Sequence, residues 1–273
     1  MPPDNVSMST ATLPRPMTKE AALYTVRLMV QDDYAGVLSF LAGHQDAHIC
    51  YHPAWQRVSI EAMGQQAPWF VAEEAGHIVG LMPLALRKSR IFGHAAISGF
   101  VSLFGGPLAS TSAIAASLCE AAEAYASEAG MGPVEVRLPA GYSTAHSLCT
   151  RLQDAGLQAS VAKMASSVFA KDLPPSREGL LPAISKKRRY LVRKSLEVGF
   201  QLLEGGAYKD TAYALYSRSV HRLGTPVFPQ KLFSVIADAF GSDGVEFLIA
   251  RTPSGDDVAS FLVFYGFGTV SPF

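Results

Sequence analysis

The sequence predicts a mixed α/β fold in which one set of strands and helices occurs twice. Hydrophobic residues make up 49% and charged residues 17% of the 273 residues, which is typical of a chain with a substantial buried core. This length favours two domains rather than one. The order of predicted elements in the first half begins again in the second half, as in an internal repeat.

The first half opens with a strand, two helices and a hairpin. The strand covers Tyr24–Val30, and an acidic pair of N-capping residues precedes the first helix. The apolar spacing of residues 52–63 predicts the second helix. Two apolar runs around a glycine-containing turn at residues 74–77 then predict a hairpin, whose second run extends to Arg90.

The remainder of the first half alternates strands and helices. Its most regular segment is an alanine-rich helix at Ser112–Glu128, which Gly130 ends. The other predicted elements are a strand at 97–109, a short strand at 134–138, a helix at 143–155 and a strand pair at 157–170.

The proline pair Pro174-Pro175 marks the predicted boundary between two domains. We therefore expect a disordered leader at 1–20, a first domain at 21–173 and a second at 174–273. In the second domain, the sequence predicts a helix at 178–198, a strand at 200–203, helices at 210–223 and 230–240, and a hairpin around residues 253–255. Elements equivalent to residues 87–170 do not follow, so we expect a truncated second domain whose last apolar strand is unpaired.

Bulk composition limits the possible functions. The 23 Lys+Arg balance 23 Asp+Glu, so any attraction to anions must be local. Cys50, Cys119 and Cys149 lack the spacing of a zinc site or a disulfide framework, and we expect no metal. The chain has no export signal at its start and no apolar run long enough to cross a bilayer, which predicts a cytoplasmic protein.

Three segments resemble the FemAB-like transferases, a family with the acetyltransferase-like (GNAT) fold. The resemblance is to the branch linked with exopolysaccharide and PEP-CTERM/exosortase gene clusters. The first segment is HPAWQRV at His52–Val58, with the hairpin that follows it. The second is ISKKRRYLVRKSLEVGF at Ile184–Phe200, and the third, which is the most specific, is SVHRLGTPVFPQKLF at Ser219–Phe233.

The resemblance implies two tandem GNAT-like domains, the second incomplete, and transfer of an acyl or aminoacyl group to an amine. It implies an acyl-CoA or an aminoacyl-tRNA as the donor, a role in cell-envelope or exopolysaccharide biosynthesis, and tRNA or another polyanion among the partners. Two alternatives stay open: a protein that binds polyanions without catalysis, and an inactive remnant of such an enzyme.

The densest positive charge lies in the helix predicted at residues 178–198. Lys186, Arg189 and Arg193 recur at i, i+3 and i+7 and share one face, and Lys187 follows Lys186 in the sequence. Such a stripe of cations suits phosphate groups. We therefore predict that these four residues bind the substrate, with the apolar residues of the helix on its other side. An ordinary solvated helix face is the alternative.

The second candidate segment follows the helix predicted at residues 210–223. A glycine there can adopt the left-handed conformation that ends a helix, and a histidine can move a proton near neutral pH. We predict His221 as the catalytic residue and, as substrate-binding residues, Arg222, Gly224, Thr225 and Phe228. In the alternative, His221 and Arg222 only complement the negative end of the helix dipole.

One further turn, Gly105-Gly106-Pro107, lies where a GNAT fold places its phosphate-binding loop before a helix. The residues usual around that loop are missing, so a tight turn is the alternative. The sequence contains no hydrolase triad signature, metalloprotease motif or nucleotide-binding motif. Transfer to an amine is compatible with this, because positioning and oxyanion stabilisation can carry such a reaction.

Overall fold

The computed structural model describes residues 23–89, 93–99, 104–138, 150, 153 and 169–273. The predicted leader and almost all of the helix at 143–155 and the strand pair at 157–170 lie outside these residues. No helix in the described part of the chain is long and apolar enough to span a bilayer.

The first sheet contains four antiparallel strands in the order β1-β2-β3-β6. The strands are β1 Tyr24–Leu28, β2 Phe70–Glu74, β3 His77–Met82 and β6 Leu108–Ala109. The predicted hairpin joins β2 to β3 through Ala75 and Gly76, both at positive φ. Two residues at positive φ match the right-handed twist of the strands they connect.

Helices cover both faces of the first sheet. On one face lie α1 Tyr34–Gly43 and α2 Ala54–Glu61, and on the other lies α3 Ser112–Glu128. Successive strand residues point to opposite faces, so Val71 packs towards α1 and α2 whereas Phe70 packs towards α3.

A second, small sheet continues from the first. It contains β4 Ala85–Ser89, β5 Gly93–Ile97 and β7 Val134–Glu135, with β5 antiparallel to β4 and parallel to β7. Two predictions are corrected here. The apolar run up to Arg90 is divided at Pro83, because β3 and β4 belong to different sheets. Of the described residues in the strand predicted at 97–109, only the last residue of β5 and the two residues of β6 lie in strands.

The second half repeats the architecture of the first. After helix α4 Lys186–Glu197 come β8 Gln201–Glu204, α5 Lys209–Arg222, α6 Lys231–Gly244, β9 Val245–Arg251, β10 Asp257–Gly266 and β11 Thr269–Pro272. The C-terminal sheet, formed by β8 to β11, has the order β8-β9-β10-β11, which matches β1-β2-β3-β6 position by position. The predicted fold of two tandem units in a mixed α/β architecture is confirmed.

The end of the second unit differs from the expectation. The sequence predicted that the last apolar strand would be unpaired, but β10 pairs with β9 on one side and with β11 on the other. The turn before β11 contains Phe267 and Gly268, both at positive φ. The helix predicted from residue 178 also begins later, at Lys186, where the Ser185 hydroxyl caps it.

One hydrophobic core joins the two units. It contains residues of α1, α2 and the first sheet together with residues of α5, α6 and the C-terminal sheet. At its centre the Trp55 ring of α2 lies 5.0 Å from the Phe240 ring of α6 and 5.1 Å from the Phe264 ring of β10. We call this contact region the seam.

Candidate functional site

The cations predicted to bind substrate lie on α4, which projects its side chains into solvent. No residue of α4 is buried, and within the described part of the chain α4 has no extensive contact with another helix or strand. Among the described residues, Lys186, Lys187, Arg189 and Arg193 form no ion pair. Their full charge is therefore available to an anion.

The predicted apolar side of α4 also faces solvent. Leu191 and Val198, expected opposite the cations, are each 48% exposed. The helix therefore carries a cationic face and an apolar face, and the described part of the chain covers neither of them.

The segment from His221 to Phe228 folds back onto α5. Gly224 has φ 74° and its amide donates to the carbonyl of His221. The hydroxyl of Tyr213 donates to the Phe228 carbonyl at 3.0 Å, and the Phe228 amide donates to the Tyr216 hydroxyl at 3.4 Å. Two tyrosines thus hold the segment in place.

The predicted site residues of this segment are exposed on its surface: His221, Arg222, Gly224, Thr225 and Phe228. In the described part of the chain, no hydrogen bond or ion pair orients the His221 ring. No hydrogen bond, ion pair or ring contact joins the segment to α4 there either. Both groups of residues stay predictions.

The glycine pair before α3 has a different role from phosphate binding. The amides of Gly105 and Gly106 both donate to the carbonyl of Arg137, at 3.1 and 3.0 Å. A Cβ on Gly105 would lie 2.8 Å from the backbone N and Cα of Gly99, so close packing of the backbone favours glycine there. The N-terminus of α3 is already capped by Thr111, whose hydroxyl oxygen accepts from the Ile114 amide. The tight-turn alternative is therefore favoured.

Sequence reasoning missed three histidines that repeat every four residues, His44, His48 and His52, of which the last two contact the second unit. In each, the ring Nδ1 accepts the backbone amide two residues later, at 3.1 Å for His44 and 3.2 Å for His48 and His52. Because Nδ1 accepts, the neutral ring carries its proton on Nε2. The HxxxHxxxH spacing in the sequence was the available signal.

Two of these histidines connect the units. The Nε2 of His48 lies 3.3 Å from the hydroxyl of Ser271 in β11, and the tautomer makes His48 the donor. His48 therefore does not activate Ser271 as a nucleophile. The ring of His52 lies 4.9 Å from that of Phe240 and 6.3 Å from that of Phe267.

Burial keeps both rings neutral. It lowers the pKa of His48, and it lowers the pKa of His52 to about 4. Neutral imidazoles packed on aromatic rings suit a structural role at the seam. Among the described residues, no three His, Cys, Asp or Glu side chains gather where they could hold a metal ion.

No protein-family model matches the sequence, and no curated protein matches it. Among solved structures, the chain is similar to FemX, with 16% identity and a TM-score of 0.59 over 84% of this chain and 58% of FemX. The chain thus spans 58% of the length of FemX. At this identity the similarity establishes the fold, a FemX-like GNAT architecture.

Single-domain acetyltransferases also match part of the chain. A ribosomal-protein-alanine N-acetyltransferase from Brucella melitensis biovar Abortus 2308 has 15% identity and a TM-score of 0.38, over 54% of this chain and 99% of its own. An aminoglycoside 6'-N-acetyltransferase from Acinetobacter haemolyticus has 11% identity and a TM-score of 0.36, over 55% and 99%. Each of these similarities covers only about half of this chain.

Proposed function

We propose that this chain transfers an acyl or aminoacyl group from an activated donor to an amine. The observation that carries the proposal is the repeated sheet order, joined by one core, in an architecture like that of FemX. The amine nitrogen attacks the carbonyl carbon of a thioester or ester and forms a C–N bond. The C–S or C–O bond breaks, and the proton lost by the amine passes to the leaving group.

In this proposal the α4 cations bind the phosphate groups of the donor. Both an acyl-CoA and an aminoacyl-tRNA carry several phosphates, and Lys186, Lys187, Arg189 and Arg193 would bind them as charges without an ion pair among the described residues; Arg189 is half-buried and the other three are exposed. In this proposal His221 takes the amine proton and passes it to the leaving group, and the acceptor is held by Arg222, Gly224, Thr225 and Phe228. The closeness of these five residues on one anchored turn supports this part.

The proposal also includes a biological setting for this activity. The resemblance of the segments at Ile184–Phe200 and Ser219–Phe233 to FemAB-like transferases supports a role in cell-envelope or exopolysaccharide biosynthesis. We place the activity in the cytoplasm and assign it to two domains, 21–173 and 174–273.

Mass spectrometry of group transfer tests the activity. The full chain is incubated with either donor and a panel of amine acceptors, and the acceptor should gain the mass of the acyl or aminoacyl group. The triple variant Lys186→Ala, Arg189→Ala, Arg193→Ala should lower kcat/KM at least about tenfold, because three phosphate contacts are lost. Absence of transfer from both donors would contradict the proposal.

A matched variant separates local charge from total charge. Three other cations of the second unit provide the control triple: Lys209→Ala, Arg218→Ala and Lys231→Ala. This control removes the same net charge and should retain most of the activity. Equal losses in the two triples would show that α4 has no special part.

Polyanion binding without catalysis is the second candidate, favoured by the uncovered cationic face of α4. Its signature is a steep fall of tRNA affinity with salt, because bound cations release counterions. The triple α4 variant should flatten that slope by about two to three. Binding with this slope, without transfer from either donor, would favour this candidate over the enzyme.

A further inference from the structure

One face of the C-terminal sheet, here called the outer face, carries no helix among the described residues. The opposite face, which includes Phe247, packs on α5 and α6. Strand alternation and register place these cross-strand pairs on the outer face: Leu202 with Ala250, Leu248 with Phe261, and Tyr265 with Val270. Leu202, Phe261 and Val270 are each 50–59% exposed.

The first sheet shows what such a face can hold. Since the two sheets share strand order, the outer face corresponds to the face that α3 covers in the first unit. The contact stripe of α3 includes Ala115, Leu118, Cys119 and Ala122, at i, i+3, i+4 and i+7. The outer face therefore fits a helix with a small or apolar stripe at this spacing.

Helix α4 has a stripe of the required spacing: Arg188, Leu191, Val192, Ser195 and Leu196. Its three apolar members are 38–69% exposed. The hydroxyl of Ser195 donates to the carbonyl of Leu191 at 3.0 Å, so it adds no unsatisfied donor to an apolar contact. At about 100° per residue, Lys186, Arg189 and Arg193 lie on the side of the helix opposite Leu191, while Leu196, at the edge of the stripe, adjoins Arg189.

Dimensions and charge are compatible with docking. Twelve helical residues span about 18 Å, and four strands are about 14 Å wide between the outer two. Glu204 and Glu246 lie on the outer face, opposite Leu248 and Val263. If two outer faces packed against each other, these carboxylates would repel one another. If α4 packed there instead, its Arg188 would attract them.

We propose that two copies of this chain form a two-fold symmetric dimer in which α4 of each copy lies on the outer face of the other. Each copy contributes one helix and one sheet, so the contact is made twice and closes on itself. The cationic face of each α4 stays in solvent. The proposal does not depend on the transferase activity.

Analytical ultracentrifugation of the full chain tests the dimer. The wild-type chain should sediment as a dimer at about 50 μM, in the concentration range of a specific interface. Leu196→Asp on α4 and Phe261→Asp on the sheet should each weaken the dimer at least about a hundredfold. The matched control is Tyr190→Asp, a 61% exposed site on the cationic face of α4, and it should leave the dimer intact.

Mixing the two disruptive variants tests the exchange itself. A heterodimer of the Leu196→Asp and Phe261→Asp chains retains one intact contact. In it, the unchanged α4 of the Phe261→Asp chain lies on the unchanged outer face of the Leu196→Asp chain. The mixture should therefore form dimers although each variant alone is monomeric. This result also shows that both variants are folded, because an unfolded chain could not supply its intact surface.

Four outcomes would overturn the proposal. A wild-type chain that stays monomeric up to about 100 μM has no such interface. Loss of the dimer in Phe261→Asp alone indicates sheet-to-sheet packing, and loss in Leu196→Asp alone indicates helix-to-helix packing. If the mixture forms no dimers although circular dichroism shows both variants folded, a dimer in which each α4 lies on the other copy's outer face is excluded.

Discussion

Acidification should destabilise this fold through His52, whose ring lies at the seam between the two units. Burial against Phe240 and Phe267 lowers the pKa of the folded imidazole to about 4. In the unfolded chain the same group takes up its proton near pH 6.5. The unfolded state therefore gains the proton first, and stability falls as the pH drops from about 6.5 to about 4.

The size of the effect follows from the pKa difference. Each pKa unit corresponds to about 1.4 kcal/mol, so the full loss for His52 is about 3 kcal/mol. By pH 5 the loss is already about 2 kcal/mol, a large part of the stability of an ordinary domain. Burial of His48 acts in the same direction. Arg27 lowers the pKa of Asp33, so protonation of Asp33 affects stability only below about pH 4. It therefore does not contribute to the loss between about pH 6.5 and pH 4.

Urea unfolding at pH 7 and pH 5, followed by tryptophan fluorescence, measures this loss. Trp55 is a suitable reporter because it packs on Phe240 in the seam. His52→Asn removes the titrating ring, while its side-chain oxygen can still accept the Ala54 amide. The wild type should lose about 2 kcal/mol between the two pH values and the variant less than half of that. If the variant shows the whole wild-type loss, His52 is not the group responsible.

Three substitutions probe the packing of the units by urea unfolding at neutral pH. Gly80→Ala should cost about 1–3 kcal/mol, because a Cβ there would lie 2.9 Å from Cγ2 of Ile114; Gly43→Ala, with open space around its Cβ, is the matched control and should be near neutral. Trp55→Phe should cost at least about 1 kcal/mol, since it removes a buried 2.9 Å hydrogen bond to a backbone carbonyl, and unchanged stability would contradict this. Arg27→Leu should cost about 1–3 kcal/mol, because the Asp33 carboxylate, only 10% exposed, would lose its ion-pair partner; a loss below about 0.5 kcal/mol would contradict this.

Local signals in the sequence were sufficient for elements whose ends are set by local chemistry. The β2–β3 hairpin follows from its two-residue turn, and α3 follows from an alanine-rich run that ends before Gly130. The repeat was visible because each unit has its own series of such signals. The break between β3 and β4 and most of β5 were missed, because they depend on the step of the chain from one sheet to another at Pro83, which is a tertiary event.

The seam could not be predicted because its contacts join residues far apart in the sequence. His48 meets Ser271, and Trp55 meets Phe273, although more than 200 positions separate each pair. HPAWQRV was assigned to a helix and to a family resemblance, but its packing partners lie in the other unit. Likewise, helical periodicity correctly divided α4 into two faces, but it could not show that the apolar face has no partner among the described residues.

The two faces of α4 make binding and assembly separable by experiment. Leu191 lies on the opposite side of the helix from Lys186, Arg189 and Arg193, so a substitution there should not touch the phosphate contacts. A monomeric Leu191→Asp chain should therefore keep its affinity per chain for a short polyanion that reaches one helix. For a long polyanion that spans both helices of a dimer, it should lose about tenfold or more, because the second contact is no longer at high effective concentration. Equal loss for short and long polyanions would mean that the apolar face itself takes part in binding, and that the two faces do not act independently.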